Sequence, residues 1–345
     1  MSATARDSSA DHLIVTLQHK IDEVIAPQLR GVRNFALVDF PDHPNVGDSA
    51  IWLGETLYLK EKLGHSPAYV CTCETWSKDE FIEAVPDGPI FIHGGGNFGD
   101  LWPKHQAFRE MLISSFPDRL IVQLPQTVHF SSKSNLEKSK RIINAHKNVT
   151  MLVRDLRSLG EVQESFASAV QLCPDMAFCL GRQRVPSSIG RDLLLLLRTD
   201  HEAVKHEESI QLPGSCAVED WLFERRGIGK RMILKTWANM LLSPDKKVVS
   251  RIDRRFEWFQ NLASNRVDRG LRQLGSARYV VTDRLHAHIL CTLLDVPHTV
   301  VDNNYGKIGG FVESWTHSFA KLVGPVPSLA QALDIYVHSL MGNTA

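Results

Sequence analysis

What this chain lacks narrows its class first. It has no long apolar run: the Leu193–Leu197 stretch is five residues, against the roughly 18 that a membrane-spanning helix needs. It has no net charge, with 39 Lys plus Arg against 39 Asp plus Glu, so bulk electrostatics give no reason to expect a nucleic-acid partner. Six Cys in 345 residues make no dense disulfide framework. Cys71 and Cys73 form a lone Cys-x-Cys with no second pair at zinc spacing, which predicts free thiols in a reducing compartment and no metal. The N-terminus is polar, with Asp7 and Asp11, and lacks the apolar segment of a secretory signal. The expectation is a soluble, cytoplasmic protein.

What is present reads as α/β. Hydrophobic residues at 43% and charged residues at 23% are ordinary globular values, and the length exceeds the roughly 250–300 residues at which one core stops growing. Two domains are expected. Short apolar runs alternate with helical periodicity: strands at 35–38, 68–71, 89–93, 120–124, 150–153 and 169–172, with helices between them, including 49–63, 104–116 and 156–166. Such alternation predicts βαβ units and a parallel sheet. After a polar, proline-containing stretch near 182–190 the pattern restarts with 193–198, 279–282 and 299–301. The division expected is a disordered tail over 1–10, a Rossmann-like domain over 11–185, a second over 186–325 and a final helix over 326–345.

Three strand-end segments carry chemistry, and ligands of parallel sheets bind at carboxyl ends of strands. After the first strand comes Asn45-Val46-Gly47-Asp48, with Asp48 suited to cap the helix that follows. After the third comes His93-Gly94-Gly95-Gly96-Asn97-Phe98-Gly99-Asp100. Three consecutive glycines raise the entropy cost of folding. They make sense where backbone N–H groups cradle an anion. The segment is neither a G-x-G-x-x-G dinucleotide fingerprint nor a P-loop, which argues against nicotinamide dehydrogenases and P-loop kinases. The third is Thr282-Asp283-Arg284-Leu285-His286-Ala287-His288. Arg284 is a fixed planar cation, the helix start adds partial positive charge, and His286 exchanges a proton near neutral pH. His288, deeper in the helix, reads as a packed core histidine. Arg198 is a second anion clamp at a strand end, Arg154-Asp155 repeats that pattern, and Tyr305 and Lys307 sit where they orient a phosphate or sugar.

Residues 224–255 stand apart. They hold ten basic residues and three acidic ones, a local balance of +7, with an apolar stripe that includes Trp237. Such a segment suits an anionic membrane surface; a solvated face, or one packed on a partner subunit, remains the competing reading.

In order and over about residues 34–320, Asn45-Val46-Gly47-Asp48, the Gly94–Asp100 segment, Leu124-Pro125-Gln126-Thr127, Arg154-Asp155-Leu156-Arg157-Ser158, Pro174-Asp175-Met176-Ala177-Phe178 and Arg284-Leu285-His286-Ala287 resemble the polysaccharide pyruvyl transferase family, bacterial enzymes that add pyruvate ketals to sugars. The resemblance implies two Rossmann-like domains, similar to the two-domain B-type glycosyltransferase fold, with the active cleft between them. It implies phosphoenolpyruvate as donor substrate, no separate cofactor, and a saccharide or lipid-linked saccharide as acceptor. Arg284, Leu285 and His286 are then the donor-holding turn, with His286 the acid, Arg284 and Arg198 the anion clamps, and Asp48 or Asp100 the base. Asn45, Gly47, Gly94, Gly95, Gly96, Asn97, Gln126, Tyr305 and Lys307 complete the expected binding set. A peripheral contact with the inner membrane face and a homo-oligomer are both compatible with this reading. Two other functions fit the same fold: a nucleotide-sugar glycosyltransferase and a non-catalytic saccharide-binding protein.

Overall fold

In the computed structural model of the chain, residues 3–185, 189–199, 215–221, 248–302 and 306–342 are described. Two sheets organise them, and every strand pairing is parallel. The first contains β1 (Ala36–Val38), β2 (Tyr69–Cys71), β3 (Ile90–Ile92), β4 (Gly95–Gly99), β5 (Ile121–His129), β6 (Val149–Val153) and β7 (Ala169–Leu172). Its order is β2-β1-β3-β5-β6-β7, with β4 also paired to β5. The second contains β8 (Arg191–Leu196), β9 (Cys216–Glu219), β10 (Ala277–Thr282), β11 (His298–Val301) and β12 (Leu322–Val326), in the order β12-β11-β10-β8-β9. The architecture is therefore two Rossmann-like units, as expected.

Each order reverses at its first strand. The chain steps to one side of β1 and β8, then returns to the other side with β3 and β10. Such a reversal leaves a crevice at the carboxyl ends of the two strands that flank it, where ligands of open α/β sheets bind. The strands at the first crevice, Ala36–Val38 and Ile90–Ile92, are buried on both faces, as are the carboxyl-terminal halves of those at the second, so they read as plain apolar runs rather than as alternation.

Helices connect and join the two sheets. The helix α1 (Ala3–Ile25) buries Leu13, Ile14, Leu17, Ile21 and Ile25. It begins inside the segment expected to be a disordered tail, because Ala10 is also buried and extending a nucleated helix costs little. The helices α2 (Val46–Leu63), α3 (Lys78–Ala84), α4 (Pro103–Ser115), α5 (Lys133–Asn144) and α6 (Leu156–Ser165) belong to the first half. The long α7 (Val248–Gly275) leads into the second half and lies across α2. Phe259 on α7 stacks on Phe40 with ring centroids 4.0 Å apart, and Trp52 meets both rings edge-on. Gly270 lets α7 approach so closely that a Cβ there would fall 2.4 Å from Val46. Polar contacts repeat the join: Arg266 donates to the Pro41 carbonyl, Arg269 to those of Pro44 and Trp221, and Arg255 pairs with Glu80 at 2.9 Å. Arg255 and the buried Ile252 come from the basic segment; residues 224–247 lie outside the described ones. The set ends with α8 (Leu285–Leu294), α9 (Lys307–Phe311) and α10 (Leu329–Gly342), which covers the outer face of the second sheet with Leu329, Ala332, Leu333 and Tyr336. The six cysteines are free thiols. Among the described residues, no helix is long and apolar enough to cross a membrane.

Candidate active site

The two crevices face each other across one cleft of about 290 Å³. The first sheet contributes Asp39, Pro41 and His43 after β1, and His93, Gly94, Gly96 and Asn97 after β3. The second contributes Arg198 after β8 and Asp283, Arg284, Leu285 and His286 after β10. Asn45, Asp48 and Arg154 complete the inner wall, and Trp102, His105, Trp221 and Ile308 also line it.

His286 lies in the first turn of α8, where the unpaired N–H groups of the helix favour a bound anion. Its Nε2 is 3.3 Å from Asp175 Oδ2, which also accepts from Arg154 Nη1 at 2.7 Å. Burial alone would push the Asp175 carboxyl up, but His286 and Arg154 outweigh it and hold it well below the usual range. Arg154 is anchored further by Nε donating to Thr127, whose hydroxyl donates to Asp155, the N-cap of α6. Gly47 stands behind His286, since a Cβ there would fall 2.4 Å from the imidazole Cγ and Nδ1. Thus the first sheet fixes the imidazole that the second carries.

Arg284 caps α8 from outside, and its Nε and Nη2 both meet Asp220 Oδ1, at 2.7 and 2.5 Å. Asp220 follows β9 and also accepts from Thr199. Asp283 accepts the Arg198 backbone N–H at 2.9 Å, which ties the two strand ends together. His288 is the core histidine expected: it is fully buried, bonds His298 and Thr316, and burial drives its pKa well down.

The α2 start differs from expectation. Asn45, not Asp48, is the N-cap; its side-chain Oδ1 accepts from Gly47 N, and its Nδ2 donates to Asp48 Oδ2 at 2.8 Å. Asp48 sits in the first turn, 3.3 Å from His43. Burial would raise its carboxyl, yet His43, His286, His93 and Arg154 lower it, so it stands ionised in the cleft.

The glycine-rich segment is a strand rather than a loop: β4 continues the line of β3 along β5. Side-chain amides replace what the glycines cannot supply. Gln126 Oε1 accepts from Asn97 N, Gln106 Oε1 from Gly99 N, and the buried Arg109 donates to Asn97 Oδ1 at 2.7 Å. Gly95 has φ +121, a conformation that favours glycine. Gly94 donates its N–H to the Glu55 carboxylate at 2.7 Å, so that donor is taken by the protein rather than offered to an anion. Gln126 is fully buried and supports Asn97 and the His93 carbonyl from behind the wall.

Asp100 is not at this site. Its oxygens accept from Ser131 N, Ser132 N and Asn135 Nδ2 at the start of α5, outside the cleft lining. A carboxylate holding two backbone donors at the turn before α5, whose N-cap is Ser132, is a structural anchor and not a base for the cleft. Tyr305 and the side chain of Lys307 lie outside the described residues.

Two groups escaped sequence reasoning. Asp39 has φ 71 and accepts from His105 Nδ1 at 2.8 Å, with Cys73 nearby. The ligand atoms of these three lie within 4.8 Å of one another, and burial, with Asp39 beside it, raises the Cys73 thiol. His93 and Glu55 form a buried pair, Nδ1 to Oε2, at 2.7 Å. A signal for Glu55 existed, since it follows Asp48 by seven residues and so shares its helix face.

The comparisons with known proteins bear on the family and the fold. Pyruvyl transferase 1 of Schizosaccharomyces pombe is 33% identical over 333 residues, covering 90% of this chain and 77% of that protein. EpsO of Bacillus subtilis, which carries a provisional pyruvyl-transferase name, is 30% identical over 311 residues, covering 88% and 92%. A crystal structure of a Klebsiella pneumoniae protein of uncharacterized function superposes with a TM-score of 0.56 at 16% identity, over 89% of this chain and 98% of that one, which shows a shared fold. Residues 45–305 match the family described as polysaccharide pyruvyl transferase. That span opens on the Asn45 cap of α2 and takes in Arg154, Asp175, Arg284 and His286, while Asp39, Pro41, His43 and Ile308 of the cleft lie outside it, and the chain belongs to the polysaccharide pyruvyl transferase family.

Proposed function

We propose that the protein transfers pyruvate from phosphoenolpyruvate to two hydroxyls of a saccharide, forming a pyruvate ketal and releasing phosphate. The observation that carries this reading is His286 held between Asp175 and Arg154 in a cleft that Arg198 and Arg284 also line. The donor carries a carboxylate and a phosphate, and planar guanidinium groups with a helix start suit both. The cleft volume of about 290 Å³ lies at the small end of ligand sites, which favours a compact donor over a nucleotide sugar.

His286 gives a proton to the donor methylene carbon, whose π pair forms the new C–H bond. The electron-deficient C2 is attacked by one acceptor hydroxyl, which loses its proton. A second hydroxyl then replaces phosphate, which departs with the pair of the C2–O bond, and the proton of that hydroxyl returns to the deprotonated His286. The acceptor is a polysaccharide or its lipid-linked precursor, and the enzyme works in the cytoplasm, reaching lipid-linked units through a peripheral contact. Calorimetry with phosphoenolpyruvate and with uridine and guanosine diphosphate sugars tests the donor. Phosphoenolpyruvate is expected to bind alone; tight binding of a nucleotide sugar and none of phosphoenolpyruvate supports the glycosyltransferase reading instead.

A further inference from the structure

Ketal formation needs a base as well as an acid, and the two carboxylates that the sequence suggests serve poorly. Asp100 holds the turn before α5, outside the cleft. Asp48 is in the cleft, but the surrounding cations lower its pKa and so weaken it as a base. A different group has the arrangement of a base. His93 lies at the carboxyl end of β3, lines the cleft and is 1% exposed. Its Nδ1 is held 2.7 Å from Glu55 Oε2. Its other ring nitrogen, Nε2, is buried and has no hydrogen-bond partner among the described residues. Glu55 is itself fixed by the Gly94 N–H at 2.7 Å, and Trp52, one turn before it, lies against the imidazole. A carboxylate on Nδ1 fixes the ring orientation, leaves Nε2 as the proton acceptor and stabilises the imidazolium that forms, the division of labour seen in serine hydrolases.

We propose that His93, oriented by Glu55, is the base that takes the proton from the attacking acceptor hydroxyl. The inference rests on the pyruvyl-transfer reading above. In the step, the hydroxyl oxygen supplies the electron pair of the new C2–O bond, and the pair of its O–H bond stays on oxygen as the proton moves to His93 Nε2. Glu55 is a positioning residue; it touches the imidazole and not the substrate. The titratable groups facing His93 are Glu55 and Asp48 on α2 and Asp39 and His43 after β1. Burial disfavours the charged imidazole, but Glu55, Asp48 and Asp39 outweigh it and raise the pKa.

The test compares wild type, Glu55→Gln and His93→Gln in phosphate release from phosphoenolpyruvate with a saccharide acceptor. His93→Gln is expected to lower kcat by about 10²- to 10³-fold while calorimetric binding of phosphoenolpyruvate stays within about two-fold. Glu55→Gln keeps the hydrogen bond but removes the charge. A base works unprotonated, so activity falls below its pKa, and removing the charge that raises it moves the acidic limb of kcat to lower pH. Titration of the donor phosphate is the same for both proteins and moves nothing between them. An unmoved limb, an undiminished kcat in His93→Gln, or lost donor binding in place of lost turnover overturns the assignment. Imidazole NMR titration of wild type and Glu55→Gln reads the same coupling without turnover; a His93 signal indifferent to Glu55 overturns it as well. A wild-type enzyme inert towards phosphoenolpyruvate overturns the donor instead, and the NMR titration still decides whether Glu55 controls His93.

Discussion

Gly47→Ala is the sharpest small perturbation of the cleft. The added Cβ falls 2.4 Å from His286 Cγ and Nδ1 and 2.6 Å from its Cβ. Ordinary carbon contacts lie near 3.5 Å, so the imidazole must move by about 1 Å. It has little room, because Asp175 and Arg154 hold its far side and the ring is 9% exposed. Nothing in the Gly47 backbone opposes alanine: it lies in the first turn of α2 and not in the left-handed region. Overpacking costs about 1–3 kcal/mol, partly offset by up to about 1 kcal/mol from replacing a helical glycine, so the variant folds. Displacing a catalytic group by about 1 Å costs on the order of 10²-fold in rate. The assay is phosphate release with saturating phosphoenolpyruvate and acceptor, run beside thermal unfolding. A folded Gly47→Ala enzyme with full turnover refutes the placement of His286 against α2.

The remaining predictions concern single charges. Arg284→Lys keeps the charge but not the two-nitrogen contact with Asp220; it is expected to fold and to lose about 2–4 kcal/mol of transition-state stabilisation, read as kcat/KM. Asp100→Ala is expected to cost about 1 kcal/mol in urea unfolding, as lost hydrogen bonds at a partly exposed turn do, with kcat unchanged; a large fall in kcat would return Asp100 to the site. The Asp175 carboxyl has a folded pKa below its unfolded value of about 3.9. Its ionisation therefore adds stability that is fully present above about pH 4 and is lost as pH falls through the folded value. Asp175→Asn should flatten the acid limb of stability in urea unfolding, and an unchanged limb contradicts the pairing with Arg154 and His286. Sedimentation with anionic and neutral vesicles at low and high salt reads the basic segment: salt-sensitive binding to anionic vesicles alone is expected of a peripheral contact.

Much of the fold was legible because burial on both faces leaves a plain record. The runs at 35–38 and 150–153 coincide closely with β1 and β6, which are buried throughout; the run at 169–172 matches β7, an edge strand of exposed and half-buried residues. The strands that escaped have physical reasons. β4 is three glycines, Asn and Phe, with little strand propensity of its own, and is held by amide and guanidinium side chains from α4 and β5. β12 contains Gly324-Pro325, which reads as a turn and is tolerated because the strand lies at the sheet edge. The site was half legible. Strand-end motifs named Arg284, His286 and Asp48, because position along the chain reveals the carboxyl end of a strand. Partners were not legible. Asp220 meets Arg284 across 64 residues and Glu55 meets His93 across 38, and no local pattern encodes either contact. Asp48 and Asp100 look alike in sequence, each three residues beyond an asparagine. Only the fold separates a carboxylate facing the cleft from one holding the turn before α5.

The most direct measurement follows the oxygen that joins C2 to phosphorus in the donor. Phosphoenolpyruvate carrying a heavy oxygen isotope at that bridge is incubated with enzyme and saccharide acceptor, and the products are resolved by mass spectrometry. Pyruvyl transfer breaks the carbon–oxygen bond, so the label is expected in the released phosphate, and the saccharide gains an unlabelled pyruvate ketal. Unlabelled phosphate beside labelled pyruvate, or a phosphorylated saccharide with no ketal, would contradict it.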